Sequence, residues 1–331
     1  MLLQADHLRK SYWHRHSWPS PLAGNQAPVA TRPALVDASL LLNMGETLGI
    51  VGESGSGKST LARCLALLER PDGGHVIFNG TDLTVLDARR LRRSRHRIQI
   101  VFQDPYSSLN PRLTVGSALS EVLLVHRLVP RHRVIHRVAE LLDQVGMPAR
   151  AADRYPSDFS GGQRQRICIA RALAAEPQVL IADEPVSALD VSIQAQILNL
   201  LADLRDELSV GMIFISHDLH VVRYIAPRIA VMFGGRIIEE LPPGVPLELA
   251  KHPYTQALLD SRSRLEPGWL RGSDEPAADL SASLPATGCP FRERCPHAFA
   301  PCLTVDPPGQ DVGNGHVVAC HHVAGRLAAT T

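Results

Sequence analysis

The chain has 331 residues, 45% of them apolar and 20% charged, with a formal net charge of +1. That length exceeds what one growing core supports, so one large domain with an appendage is expected. With that near-neutral balance nothing at whole-chain level points to nucleic acid or a strongly anionic partner. The most apolar stretch, Leu35 to Val51, is broken by Asp37, Asn43 and Glu46 and falls short of the ~20 apolar residues that span a bilayer. The first ten residues, MLLQADHLRK, lack the apolar core of a signal peptide.

In chain order, Trp13 to Pro33 is rich in Pro, Ser, His and Trp and reads as a surface loop insertion. A buried strand is predicted at Thr47 to Val51, then a helix running to about Leu68. A run of Arg89, Arg90, Arg92, Arg93, Arg95 and Arg97 precedes a second strand, Ile98 to Phe102. No aromatic residues interleave these arginines, so a solvated helix face is expected rather than a nucleic-acid site. Thr114 to Met147 reads as a helical insert. Strands follow at Val179 to Ala182 and Met212 to Ile215, and between them Ile193, Ile197, Leu200, Leu201, Leu204 and Leu208 form a helical stripe. From Leu241 onward Pro and Gly become frequent, and Glu266 to Ala286 reads as a linker. Strands alternating with helices make this an α/β chain with a largely parallel sheet. Cys64 and Cys168 sit in apolar helical patterns as core thiols.

Two segments carry chemistry. Gly52-Glu53-Ser54-Gly55-Ser56-Gly57-Lys58-Ser59-Thr60 follows an apolar strand and opens a helix, which is the context a P-loop requires. Its glycines let successive N–H groups point at a phosphate, and the helix N-terminus adds partial positive charge. Lys58 is suited to reach the β- and γ-phosphates, and the Ser59 hydroxyl to ligate Mg²⁺. The second segment ends the strand from Val179 with Asp183 and Glu184, two carboxylates where α/β sheets bind ligands. Asp183 is expected in the Mg²⁺ shell, and Glu184 as the base that activates water in line with the γ-phosphate. No Ser/His/Asp or Cys/His hydrolase arrangement stands out.

Between these segments, Phe159-Ser160-Gly161-Gly162-Gln163-Arg164-Gln165-Arg166 resembles the signature of ABC ATPases, with Phe in place of the usual Leu. That resemblance implies a P-loop NTPase fold: a RecA-like core, a β-subdomain and a helical signature subdomain at about residues 104–175. It also implies a head-to-tail dimer in which Ser160, Gly161, Gly162 and Gln163 of one subunit meet the nucleotide held by the other. Gln103 looks like the family's Q-loop glutamine that senses Mg²⁺ and water. Ser187-Ala188-Leu189-Asp190 looks like the D-loop, His217 like the switch histidine on the γ-phosphate, and Tyr12 like the aromatic that stacks on adenine.

Phe102-Gln103-Asp104-Pro105, Leu109-Asn110-Pro111-Arg112, Asp183 to Asn199 and His252-Pro253-Tyr254-Thr255 resemble the ATPases of oligopeptide, dipeptide and nickel importers. The resemblance implies an ATPase domain at 1–240 and an importer-type extension at 241–331, working peripherally at the cytoplasmic face of the membrane. Its expected partners are a second ATPase subunit, in a heterodimer, two permease subunits gripped through the helical insert and, indirectly, an extracytoplasmic binding protein. Peptides are the first expected cargo and nickel or another chelated metal the second. Rival readings are a soluble ABC ATPase acting on ribosomes or DNA, and a partner that binds ATP without cutting it. The single cassette speaks against the first, and Glu184 with His217 against the second.

Four further cysteines, Cys289, Cys295, Cys302 and Cys320, crowd the tail in the pattern C-x5-C-x6-C-x17-C. Four thiolates suit a 4Fe–4S cluster, which the C-terminal region it resembles can carry. His297, His316, His321 and His322 keep Zn²⁺ open, although zinc sites usually show C-x2-C pairs. A loop-rich tail with free thiols is the alternative.

Overall fold

The computed structural model describes residues 1–14, 30–187, 189–263 and 287–328. Its centre is a parallel sheet in which β3 (Thr47–Val51) lies between β8 (Gly211–Ser216) and β9 (Arg228–Phe233). Beyond β8 come β7 (Val179–Asp183) and β6 (Ile98–Val101), also parallel. Both faces of this sheet are covered, which explains near-continuous apolar strands where a half-exposed strand would alternate. Along β7, Leu180 and Ala182 enter one core while Val179 and Ile181 enter the other; in β8, Met212 and Phe214 oppose Ile213 and Ile215 in the same way.

On the other side of β9, β10 (Arg236–Leu241) runs antiparallel and makes a single bridge to β2 (Ala30–Leu42). Strands β1 (Leu3–His14), β2, β4 (Gly73–Phe78) and β5 (Thr81–Asp82) form an antiparallel group. The expected insertion from Trp13 is therefore shorter than the composition suggests, because Trp13 pairs with Thr31 and His14 with Ala30 as strand. Residues 15–29 of that insertion, and the expected linker from Glu266, lie outside the described residues.

Helix α1 (Lys58–Leu65) follows β3 and ends three residues before the expected Leu68. Helix α2 (Ala88–Arg95) carries the arginine run; Asp87 caps it, Leu91 alone is buried, and Arg89, Arg90, Arg92 and Arg93 are exposed. A helical arm follows, comprising α3 (Pro105–Ser108), α4 (Val115–Val125), α5 (Val134–Gln144) and α6 (Gly161–Leu173). In α7 (Val191–Leu208) the expected stripe holds at Ile197, Leu201 and Leu204, but Leu208 is exposed because the helix ends there on left-handed Ser209. Helix α8 (Leu219–Ile225) packs beneath β3 and β8.

The tail does not stand apart. Helix α9 (Pro253–Ser263) begins beside buried Tyr254, and that ring packs on Phe233 of β9 and on Phe291. After α10 (Ala300–Thr304), β11 (Gly309–Asp311) pairs with β12 (Val317–Ala319), which extends the core sheet through Glu239–Val318 and Glu240–Val317, and α11 (His321–Ala328) closes the chain. No helix among the described residues is long and apolar enough to cross a membrane.

Candidate active site

The carboxyl ends of β3, β6, β7 and β8 meet at one edge of the sheet, where α/β proteins place their ligands. There a cavity of about 720 Å³ is lined by Glu53, Ser54, Gly55, Gly57, Lys58, Ser59, Thr60, Gln103, Glu184 and His217, with Ala34 and Leu258 at its margin. Residues drawn from six separate stretches of chain thus share one hollow.

The loop from Gly52 to Gly57 wraps tightly between β3 and α1. A Cβ on Gly52 would lie 2.2 Å from the Met232 carbonyl oxygen, and one on Gly57, at φ +105°, would lie 2.4 Å from that of Ala34. Both contacts are backbone, so neither yields, and glycine is required. Lys58 is buried and its Nζ donates to the carbonyls of Gly52 at 2.7 Å and Glu53 at 2.9 Å. Burial lowers its pKa, opposed by the charges of Glu184, Asp183 and Glu53. Ser56 Oγ is buried beneath the loop without a hydrogen-bond partner and does not line the cavity.

Ser59 Oγ donates to Asp183 Oδ1 at 3.2 Å. Burial raises the Asp183 pKa, against the lowering effect of that hydrogen bond. Two oxygen donors of opposite elements at this spacing suit a hard cation such as Mg²⁺. Next along the chain, Glu184 holds φ +49°, a left-handed conformation that a non-glycine residue rarely takes. Its N–H donates to the Ile215 carbonyl at 3.0 Å, while its carboxylate accepts from Gln103 Nε2 at 3.2 Å and lies 3.3 Å from His217 Nδ1. Gln103 Nε2 also reaches Ser187 Oγ at 3.2 Å. The turn aims Glu184 into the cavity rather than along the strand.

Other expected residues are not gathered here. Ser160 caps α6, accepting from Gln163 N–H, while the Gln163 side chain accepts from Ser160 N–H in a reciprocal box. Gly162 is buried against Ile193, whose Cγ2 would lie 2.5 Å from a Cβ placed there. Ser160 and Gln163 face solvent on the helical arm, Gly161 is half-buried, and none of the four lines the cavity. Asp190 precedes α7, exposed and making no side-chain cap; Ala188 lies outside the described residues. Tyr12 is half-buried with its hydroxyl donating to Glu69 and 3.4 Å from Thr60 Oγ1; it borders α1 but does not line the cavity.

Two residues at the site escape sequence reasoning. Tyr254 Oη accepts from Glu53 N–H at 2.8 Å, and Arg294 grips both carboxylate oxygens of Glu53 at 2.8 Å each. The only sequence signal was the resemblance of His252 to Thr255 to importer ATPases; nothing local marked Arg294.

In the tail, Cys289, Cys302 and Cys320 are buried and Cys295 half-buried, all four as free thiols. Cys289 N–H donates to the Cys302 carbonyl at 2.9 Å, and burial pushes the Cys289 thiol up to about 11, with Cys302, Cys320 and Cys295 near enough to add to the rise. Even so, among the described residues no group of three or more His, Cys, Asp or Glu side chains has the spacing of a metal site. As arranged, the thiols neighbour one another without presenting a ligand set. Cys64 and Cys168 are buried within helices with thiols raised to about 12, as expected of core cysteines.

Residues 35–187 match the ABC transporter family, and residues 239–302 match the oligopeptide/dipeptide transporter C-terminal region. The dipeptide transport ATP-binding protein DppF of Escherichia coli is 45% identical over 97% of this chain and 94% of its own length. A probable peptide ABC transporter ATP-binding protein, y4tS of Sinorhizobium fredii, is 46% identical over 99% of this chain and 92% of its own. Among solved structures, the dimeric post-hydrolysis state of the ATP-binding cassette MJ0796 bound to ADP and phosphate superposes with a TM-score of 0.62. It is 29% identical and covers 73% of this chain and 98% of that one.

Proposed function

The chain belongs to the ATP-binding proteins of ABC transporters, and on that premise we propose that it hydrolyses ATP to drive import of di- and oligopeptides. The observation that carries the chemistry is the convergence of Lys58, Ser59, Glu184, Gln103 and His217 on one cavity, with Asp183 hydrogen-bonded to Ser59 behind it. Peptide cargo is favoured over nickel by the near-complete alignment with peptide-transport relatives and by the matched C-terminal region.

In this reading the P-loop amides and Lys58 hold the phosphate tail, with Lys58 exchanging its carbonyl partners for phosphate oxygens. Ser59 and Asp183, with Gln103, would hold Mg²⁺. When bound, that ion neutralises charge on the β- and γ-phosphate oxygens. Glu184 takes a proton from the attacking water. His217, beside the same carboxylate, stabilises the departing phosphate and keeps Glu184 oriented. Ser160, Gly161, Gly162 and Gln163 stand clear of this cavity, as does exposed Asp190, which supports their serving a partner's nucleotide in a head-to-tail dimer. Tyr12 would flank the adenine from the far side of Thr60.

The partners of this reading are a second, non-identical ATPase subunit, two permease subunits docked on the helical arm, and an extracytoplasmic binding protein acting through them. Residues 1–240 form the ATPase part and 241–331 the importer-type extension, peripheral to the cytoplasmic face of the membrane. The tail thiols form the remaining element: a 4Fe–4S cluster is favoured over Zn²⁺ by four cysteines without C-x2-C pairs, while their spacing as observed is not that of a formed site. Iron and acid-labile sulfide content of anaerobically purified protein tests that element, and zinc or neither metal would remove it.

The test of the whole reading is phosphate release and labelled dipeptide uptake by the chain reconstituted with its permease and partner ATPase. Uptake of nickel in place of peptide would overturn the cargo. Absence of ATP binding and turnover in the complete assembly would overturn the enzyme.

A further inference from the structure

We infer that Arg294, far from the P-loop in sequence, is a positioning residue for nucleotide binding. It neutralises Glu53 and thereby ties the affinity of the ATP site to the docking of the cysteine-bearing tail. This inference rests on the ATPase reading and deepens it.

Glu53 is an awkward residue for a phosphate cradle. It is the second residue of the P-loop and lines the cavity, so its carboxylate places a negative charge beside the position proposed for a polyanion. Three contacts manage it. Its carbonyl accepts from Lys58 Nζ at 2.9 Å, its N–H donates to Tyr254 Oη at 2.8 Å, and its two carboxylate oxygens accept from Arg294 Nη1 and Nη2 at 2.8 Å each. The last is a parallel fork, the geometry in which a guanidinium best holds a carboxylate and turns it in a fixed direction. Here that direction is toward the tail.

Arg294 is itself held in place. Its guanidinium lies 5.8 Å from the centre of the Phe233 ring and 5.5 Å from that of Phe291, and both rings pack against Tyr254. Its N–H donates to the Phe291 carbonyl within a run of tight turns that begins at Cys289 and ends at Cys295. The cation that quiets the P-loop is therefore the residue before a cysteine, in the segment whose Cys289 is joined to Cys302 by a backbone hydrogen bond. Any event that rearranges those turns moves Arg294 away from Glu53 and leaves an uncompensated carboxylate at the phosphate site. Since half of the Arg294 side chain is exposed, the coupling is of the moderate size found for partly solvated pairs.

The test is a double-mutant cycle on the full-length chain, read as ATP affinity with a fluorescent ATP analogue and as KM and kcat in the reconstituted transporter. Arg294→Ala is expected to weaken ATP binding roughly fivefold and raise KM accordingly, with kcat at saturating ATP changed less than about twofold. Arg294→Lys restores part of the loss. In the Glu53→Gln background, where no charge needs neutralising, the same Arg294→Ala change is expected to cost less than about twofold. A merely structural role for Arg294 would cost equally in both backgrounds, and that result overturns the inference. Unchanged affinity in Arg294→Ala overturns it as well. If Arg294→Ala does not fold, the comparison is carried by Arg294→Lys in the two backgrounds, where an equal cost is again fatal. Failure of the wild-type chain to bind ATP would instead sink the ATPase reading, so the two failures are distinguishable.

Discussion

Ser59 Oγ and Asp183 Oδ1 stand 3.2 Å apart, joining the first turn of α1 to the last residue of β7 across the floor of the cavity. Because Asp183 is buried, its pKa in the native state is raised, so the native protein holds that proton more tightly than the unfolded chain does. The sign follows from linkage: this contribution to stability is present below the unfolded carboxylate pKa and is lost as pH rises through the raised native value. Whenever that carboxylate is ionised, its burial is a cost to the native state. Asp183→Asn, which keeps the shape and removes the charge, is expected to raise the Tm of the ligand-free chain. It should also lower turnover by roughly two orders of magnitude through loss of the cation ligand. Calorimetry together with a magnesium titration of phosphate release checks both; a fall in Tm would contradict the stated origin of the shift.

Glu184 pairs strain with function. Its φ of +49° costs about 1 kcal/mol relative to a relaxed backbone, and it aims the carboxylate at Gln103 and His217. Glu184→Gln retains the strain and removes the base, so ATP binding should persist while kcat falls at least ~100-fold. Glu184→Gly removes both, and its Tm should exceed that of Glu184→Gln. Equal thermal stability of the two variants would show that the backbone at 184 stores no strain, and normal turnover by Glu184→Gln would refute its assignment as the base.

Much of this site could be read from the chain because its parts are local. The P-loop is one continuous segment, and Asp183 with Glu184 terminates a strand whose apolar run is unbroken, so residue order alone places both at the carboxyl edge of the sheet. Gln103 and His217 were reachable through the strands that precede them. Tyr254 and Arg294 were not, since their partner Glu53 lies 201 and 241 residues away and the contact exists only once the tail packs on β9 and β10. The outer parts of β1 and β2 were hidden for a different reason: pairing there is carried by backbone register, while the composition is that of a loop. The tail cysteines mark the opposite limit, where a suggestive residue count did not produce ligand spacing.

Lys58 provides a geometric prediction. Its ammonium satisfies the Gly52 and Glu53 carbonyls from a buried slot with almost no free surface. Lys58→Met leaves those carbonyls unpaired and removes the charge, and ATP affinity should drop about 100-fold, the scale of a charge-assisted contact worth roughly 3 kcal/mol. Lys58→Arg should not rescue it, because a planar fork is too broad for a slot shaped to a point charge. Equilibrium binding with a fluorescent ATP analogue decides the matter, and near-normal affinity in the arginine variant would show that charge alone suffices.

The docking of the tail onto the core should be sensitive to acid. His252 is buried at the start of α9, its Nδ1 accepting from Tyr254 N–H at 3.0 Å and its own N–H donating to Glu239 at 3.3 Å. Burial lowers its pKa from 6.5 to about 4, although Glu239 pulls the other way. A base whose native pKa is depressed stays neutral in the folded protein, while the unfolded chain takes up a proton. Stability should therefore fall progressively as pH drops from about 6.5 toward about 4, and change little above that window. His252→Asn preserves a short acceptor for the Tyr254 N–H without the titration, so its Tm should start lower at neutral pH yet decline less steeply on acidification. Parallel slopes for the variant and the parent across that window would mean that the acid response comes from another group.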